Sequence, residues 1–181
     1  MAVYTKINTK DIFLLSSKFN LGKIVRYEGI KQGIENTNYL LETNKNKYIL
    51  TIFEKRVKKK DLPFFMKLMD KLNSQKINCP KPLKDKNGKY LIKIKKKTAC
   101  IVTFLNGKDK KNLNIKECYE VGKNIARFHR ASSKVKLYRK NSMSINSLGS
   151  LLNSINFKSN TITSNLKVVL KANLKEIKKS W

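Results

Sequence analysis

The segment that decides the fold is Gly29–Arg56, GIKQGIENTNYLLETNKNKYILTIFEKR. Apolar residues recur at every second position in two short runs, which is the period of half-buried strands. These runs are Tyr39 and Leu41, then Tyr48, Leu50 and Ile52. Asn44-Lys45-Asn46 lies between the runs and favours a turn. With a first strand over Lys23–Ile30, the segment predicts an antiparallel meander.

A polar loop, Gly33–Asn38, separates the first two predicted strands. Its glycine permits backbone conformations in which N–H groups approach a phosphate closely. From the residues alone, two interpretations stay open: a phosphate-binding loop and an ordinary hairpin turn.

Two helices are predicted beside the meander. Asn8 and Asp11 have the spacing of a capping arrangement, and Gly22 permits the chain to leave the first helix. Asp61 is expected to cap a second helix, Leu62–Gln75, with Pro63 in its first turn. Their apolar faces are Ile12, Leu15 and Phe19, and Phe65, Met69 and Leu72.

The next segment predicts two more strands, Tyr90–Ile94 and Ala99–Leu105. Asn87-Gly88 is a strong signal for a type I′ hairpin turn, in which both central residues have positive φ. Together with the meander, these strands predict a five-stranded antiparallel sheet with helix Leu62–Gln75 packed on it.

The remaining chain predicts two helices and a linker. Asn114 and Glu117 form a capping box for a helix running to about His129, and Asn165 is expected to cap a final helix. The stretch 132–165 is polar and rich in Ser, Asn and Lys, which favours a linker. The expected apolar faces are Cys118, Val121, Ile125 and Phe128, and Leu166, Val169, Leu170, Leu174 and Ile177.

Composition restricts the partners. The 41 Lys and Arg against 12 Asp and Glu give a formal charge of +29, but the basic residues are spread through every element and no nucleic-acid motif accompanies them. Nucleic-acid binding is therefore disfavoured. Cys79, Cys100 and Cys118 are isolated and predict buried thiols in a reducing compartment, the cytoplasm. No apolar run is long enough to span a membrane.

Several short motifs occur in an order and spacing that resemble bacterial homoserine kinases. They are MAVYT, GIENTNY, YILTIFEKRV, DLPFF, CPKP, IVTFLNGK and VGKNIARFH, all between residue 1 and about residue 131. These kinases belong to the choline kinase/aminoglycoside phosphotransferase-like superfamily, which is related to protein kinases. The resemblance implies an α+β, protein-kinase-like fold, with a nucleotide-binding lobe over 1–105 and a hinge and partial helical lobe over 106–181.

The resemblance also implies a site for ATP. Gly33, Asn36 and Asn38 match the loop that covers the phosphates, while Thr103 and Leu105 match the hinge whose backbone pairs with adenine. Thr51 stands where the family places a phosphate-holding lysine. That lysine normally pairs with a helix glutamate, but the helix here offers only Asp61 and Asp70. Lys55 or Arg56 is an alternative cation, although both are also typical of surface charge.

Catalysis by such a kinase requires an aspartate base and residues that hold Mg²⁺. No Asp follows Asp109, and the sole histidine, His129, is expected to be structural. The catalytic residues are accordingly expected beyond Trp181. The implied function is phosphorylation of the L-homoserine hydroxyl in threonine biosynthesis. The alternatives are another small-alcohol or aminoglycoside kinase and a noncatalytic basic nucleic-acid-binding protein.

Overall fold

The computed structural model describes residues 3–54, 57–141, 144–155 and 164–179. The chain divides into two compact units, Met1–Tyr138 and Arg139–Trp181. The lobe boundary expected after residue 105 lies within the first unit, and it stays a prediction.

The first unit is built on a five-stranded antiparallel sheet, which confirms the predicted α+β fold. The strands are β1 (Ile24–Ile30), β2 (Thr37–Thr43), β3 (Lys47–Ile52), β4 (Ile92–Ile94) and β5 (Lys97–Thr103). Their order is β1-β2-β3-β5-β4, and every neighbouring pair is antiparallel. The predicted meander therefore forms the β1-β2-β3 half of the sheet.

One face of the sheet carries helix α1 (Thr9–Phe19). The residues that the sequence placed on one side of this helix are all buried: Ile12, Leu15 and Phe19. They pack in one cluster with Leu50 and Ile52 of β3. The Asn8–Asp11 capping box is present, and the helix ends at Asn20 with φ of 54°, two residues before the expected exit at Gly22.

The opposite face carries helix α2 (Leu62–Ser74). Met66 of α2 packs with Cys100 and Val102 of β5, which confirms that the predicted helix lies on the sheet. The expected cap is wrong in detail, because Asp61 ends a short 3₁₀ turn, Lys59–Asp61, and its side chain makes no capping hydrogen bond.

The turn predicted at Asn87-Gly88 forms at that place, but it is of a different type. Asn87-Gly88 forms a tight turn in which the Gly88 N–H donates to Asp85 O at 2.9 Å, but only Gly88 has positive φ, so it is not a type I′ turn. The hairpin that joins β4 to β5 turns at Lys95 and Lys96, with φ of 50° and 64°, between the two predicted strands. Strand β4 begins at Ile92 and is therefore two residues shorter than the predicted Tyr90–Ile94.

Helix α3 (Ile115–Ser133) begins with the predicted capping box between Asn114 and Glu117. Its expected apolar face is exposed rather than buried, at Cys118, Val121, Ile125 and Phe128. The expectation of three buried thiols is therefore wrong for Cys118. Cys79 is half-buried, and Cys100 is buried in the sheet, where burial raises its pKa to about 12.

The second unit contains helices α4 (Ile145–Ser154) and α5 (Ser164–Lys179). The predicted linker over 132–165 is thus wrong where α4 forms. Asn165 lies in the first turn of α5 rather than before it. A Cβ on Gly149 of α4 would lie 3.8 Å from Leu174 of α5, so the two helices pack against each other. In the residues described, no helix is long and apolar enough to cross a membrane.

Candidate functional site

The loop that joins β1 to β2, residues 31–36, is the first part of the candidate nucleotide site. Gly33 has φ of 100°, a conformation that L side chains rarely adopt. A Cβ at Gly33 would have no neighbouring atom within 4 Å, so the space beside it is open. The backbone of the loop is therefore accessible to a ligand at this point.

Asn38 and Thr51 are direct partners across β2 and β3. The Thr51 hydroxyl donates to Asn38 Oδ1 at 2.8 Å. Thr51 alternates with Leu50 and Ile52, which pack toward α1, so its side chain lies on the α2 face of the sheet. The structure thus brings together two of the predicted site residues on one face.

Asn36 holds the end of the same loop. Its Oδ1 accepts a hydrogen bond from the Glu54 N–H at 3.4 Å, which ties the loop to the residue just beyond the end of β3. Gly33, Asn36, Asn38 and Thr51 consequently belong to one corner of the sheet. Their contact with a nucleotide stays a prediction.

Asp70, the acidic residue of α2, is hydrogen-bonded to a tyrosine and not to a lysine of the sheet. Asp70 accepts a hydrogen bond from the Tyr90 hydroxyl at 2.6 Å. Burial and this hydrogen bond raise the pKa of Tyr90, and Lys84 Nζ lies 5.1 Å from the Tyr90 ring centroid. With Thr51 in β3, Asp70 thus hydrogen-bonds a tyrosine rather than a phosphate-holding lysine. The alternative cations Lys55 and Arg56 lie outside the described residues.

The predicted hinge residues lie at the far end of β5. The Thr103 N–H donates to Lys81 O at 2.9 Å, and the Thr103 hydroxyl accepts from the Lys81 N–H at 2.9 Å. By alternation along β5, the Thr103 side chain lies on the α1 face, opposite to Thr51. Leu105 follows beyond the end of β5 and is exposed. The structure therefore does not bring the Thr103 and Thr51 side chains together.

A groove of about 630 Å³ lies beside Thr103. It is lined mainly by the β2–β3 turn and the end of β5, including Asn46, Tyr48, Lys81 and Phe104. The groove places open space next to the predicted hinge, on the side away from Thr51.

The sequence analysis did not predict a buried polar cluster around Glu54. Glu54 Oε1 accepts hydrogen bonds from the Thr5 and Thr37 hydroxyls, both at 2.7 Å, and Glu54 Oε2 forms an ion pair with Lys97. The Glu54 side chain is only 8% exposed. Burial acts to raise its pKa, but the hydrogen bonds from Lys97, Thr37 and Thr5 and the charge of Lys97 outweigh burial and lower the pKa. Within the run FEKR, Glu54 had the pattern of an ordinary surface charge.

The described residues do not fit a Mg²⁺ site. Mg²⁺ prefers oxygen ligands, usually from carboxylates. Among the residues with a described placement, no three His, Cys, Asp or Glu side chains come together as a metal site. His129 lies on the exposed surface of α3, with its ring centroid 6.1 Å from that of Phe128.

Sequence comparison matches residues 26–144, more than half of the chain, to the model of the phosphotransferase enzyme family. The chain is 37% identical over 174 residues to homoserine kinase of Bradyrhizobium diazoefficiens, covering 96% of the chain and 53% of that protein. It is 41% identical over 145 residues to homoserine kinase of Bartonella tribocorum, covering 80% and 46%. The chain thus spans about half the length of the curated relatives it matches.

Comparison with solved structures shows that the chain has the fold of a phosphotransferase. The chain superposes on spectinomycin phosphotransferase, solved with ADP and spectinomycin, with a TM-score of 0.59 at 16% identity, covering 97% of this chain and 56% of the other. The AMP-bound complex of that phosphotransferase gives a TM-score of 0.54 at 18% identity, covering 93% and 54%. At such low identity, these matches establish the fold alone.

Proposed function

Because the chain belongs to the phosphotransferase enzyme family, we propose that it carries the nucleotide-binding part of a kinase that transfers the γ-phosphoryl group of ATP to the hydroxyl of L-homoserine. The observation that carries this proposal is the 37% identity to a homoserine kinase over 174 residues, which covers 96% of the chain. The sheet with α2 on one face supports the nucleotide-binding part of this proposal, since spectinomycin phosphotransferase, solved with ADP and with AMP, has the same fold.

In this proposal, the phosphates lie under loop 31–36 on the α2 face. The positive φ of Gly33 and the open space beside it let backbone N–H groups approach the phosphate oxygens. Asn38 and Thr51 offer an amide and a hydroxyl on the same face. Leu105 supplies the backbone for adenine, because the Thr103 N–H already donates to Lys81 O.

Phosphoryl transfer also needs a base for the acceptor hydroxyl and ligands for the metal. The 181 residues contain no Asp after Asp109 and no H-x-D-x-x-x-x-N loop. The role proposed for this chain is therefore to bind and orient the nucleotide.

Nucleotide binding is tested by titrating the chain with ATP, ADP and adenosine in a calorimeter. We expect saturable binding that is tighter for ATP and ADP than for adenosine. A chain that binds none of them, but binds duplex DNA or RNA with an affinity that falls steeply with salt, would contradict the proposal and support the nucleic-acid alternative.

The acceptor is tested by co-expressing this chain with the second half of the Bradyrhizobium homoserine kinase and measuring ADP release. We expect homoserine-dependent release from the combined halves and none from either half alone. Release that depends instead on an aminoglycoside or on another small alcohol would overturn the assignment to homoserine.

A further inference from the structure

The N-terminal segment, residues 3–7, lies across the start of β2. The Tyr39 hydroxyl donates to Thr5 O at 3.0 Å and accepts from the Ile7 N–H at 3.3 Å. Val3 covers Gly29, where an added Cβ would come within 2.9 Å of Val3 Cγ2. The segment from Val3 to Ile7 is thus an integral part of the sheet's α1 face.

This segment meets the end of loop 31–36 at Thr37, the first residue of β2, which is completely buried. The Thr37 hydroxyl accepts from the Tyr4 N–H at 2.9 Å and the Thr5 N–H at 3.1 Å, and it donates to Glu54 Oε1 at 2.7 Å. Lys97 Nζ donates to the Thr5 hydroxyl at 2.8 Å. Every polar side chain of this cluster therefore has a partner, and together they fix the residue from which the loop departs.

Two further contacts reach the loop itself. The Tyr4 hydroxyl donates to Ile34 O at 3.0 Å, beside Gly33. The Glu54 N–H donates to Asn36 Oδ1 at 3.4 Å. The loop is accordingly held near its middle and near its end by residues that belong to the other face of the sheet.

We propose that Tyr4 and Glu54 are positioning residues of the nucleotide site, which hold loop 31–36 in the conformation that receives the phosphates of a nucleoside triphosphate. The inference rests on the proposed function, since it assumes that the loop covers phosphates. Neither side chain contacts the nucleotide. Tyr4 holds the loop directly at Ile34 O, whereas the Glu54 carboxylate acts through Thr37, the residue at which the loop ends. Because the loop is ordered before the ligand arrives, the free energy of binding does not have to supply that ordering.

Tyr4→Phe is the sharpest test, because it removes one hydroxyl from a side chain that is 56% exposed and leaves the core intact. We expect the Kd for ATP to rise about two- to tenfold, the range of one net hydrogen bond, while the Kd for adenosine is unchanged. The matched control is Tyr138→Phe, because Tyr138 is 89% exposed and lies beyond α3. An unchanged Kd for ATP in Tyr4→Phe, or an equal loss for ATP and adenosine, would overturn the proposal.

Amide hydrogen exchange measures the order of loop 31–36 in the absence of nucleotide. We expect residues 31–36 to exchange faster in Tyr4→Phe and in Glu54→Gln than in the unmodified chain, while β3 and β5 remain protected. Equal exchange of the loop in all three proteins would contradict the positioning role. If the unmodified chain binds neither ATP nor adenosine, the proposed function fails and the nucleotide-positioning role fails with it, whereas equal loop exchange with nucleotide binding intact overturns the positioning role alone.

Discussion

Thr51 donates its hydroxyl hydrogen to Asn38 Oδ1 at 2.8 Å, directly across β2 and β3. Related kinases are expected to place a lysine at the position of Thr51, so a neutral hydrogen-bonded pair occupies a place where a cation would meet the phosphates. The pair aligns the amide of Asn38 without supplying charge. If the phosphates lie at this loop as proposed, we expect their binding to depend more on the backbone of loop 31–36 than on a side-chain cation of β3.

Thr51→Val removes the donor while keeping the shape of the side chain. We expect the free energy of unfolding to fall by about 0.5–1.5 kcal/mol, because Asn38 Oδ1 loses its partner, and the Kd for ATP to rise. Thr51→Ser is the matched control, since it retains the hydroxyl. Urea unfolding and nucleotide titration measure both effects. A loss of the same size in the Ser and Val variants would show that the methyl group, not the hydrogen bond, matters.

Gly33→Val is expected to weaken ATP binding. Valine is strained at a φ of 100°, and its side chain enters the open space beside the loop, where we place the phosphates. Gly88→Val is the control, because Gly88 also has positive φ, 74°, and no atom within 4 Å of an added Cβ, but lies in the turn before β4. Both variants should lose stability, and only Gly33→Val should lose nucleotide affinity. Equal affinities in the two variants would place the phosphates elsewhere.

Much of the fold could be predicted from the sequence, because the patterns that determine it lie within short segments. Alternating apolar residues predicted β2 and β3, and the capping boxes at Asn8 and Asn114 predicted where α1 and α3 begin. The place of the β4–β5 turn followed from the predicted strands, but the positive φ of Lys95 and Lys96 did not, because neither residue is Gly or Asn. Strand pairing imposes this left-handed conformation against the preference of lysine, so no local sequence pattern predicts it.

The Glu54 cluster could not be predicted from the sequence, and the reason is different. Thr5 and Lys97 lie 49 and 43 residues from Glu54 in the sequence. Nothing near Glu54 indicates that its carboxylate is buried, since it stands in a charged run next to two basic residues. The order of the strands, which places β5 beside β3, brings Lys97 to Glu54, and the packing of the N-terminal segment on β2 brings Thr5 there.

Leu15→Ala and Leu14→Ala form a matched pair on α1. Leu15 is 1% exposed and packs against the sheet, whereas its neighbour Leu14 is 48% exposed. We expect the free energy of unfolding to fall by about 2–5 kcal/mol in Leu15→Ala and by less than about 0.5 kcal/mol in Leu14→Ala. Urea unfolding provides the comparison. Similar losses for both would mean that α1 does not pack on the sheet as described.

The contribution of Glu54 to stability should depend on pH. Its pKa in the folded chain lies below the ordinary value of 4.5, so the stabilisation is fully present above pH 4.5 and is lost as the pH falls through the folded pKa. We expect Glu54→Gln to be less stable at pH 7 by about 1–2 kcal/mol, a modest value because the Lys97 side chain is 41% exposed. Unfolding at pH 7 and at pH 3 measures the difference, which should shrink at pH 3.

Glu28→Gln is the control for that pH series, because Glu28 pairs with Arg26 at 2.6 Å in an exposed position. Exposed ion pairs contribute little, so this variant should match the unmodified chain within about 1 kcal/mol at both pH values. A Glu54→Gln deficit that stays constant from pH 7 to pH 3 would show that Glu54 stabilises the fold by packing rather than by charge.

The 181-residue chain by itself is expected to show no homoserine-dependent release of ADP from Mg²⁺-ATP, even where it binds the nucleotide. Orienting the phosphates does not replace the base that accepts the hydroxyl proton, whose contribution is typically about 10²–10⁴-fold in rate, nor the metal that stabilises the developing charge. The described residues offer neither a carboxylate cluster for Mg²⁺ nor an aspartate after Asp109 to act as base. The full-length Bradyrhizobium homoserine kinase serves as the positive control in the same assay. Homoserine-dependent turnover that a single substitution within residues 1–181 abolishes would reveal a catalytic residue in this chain.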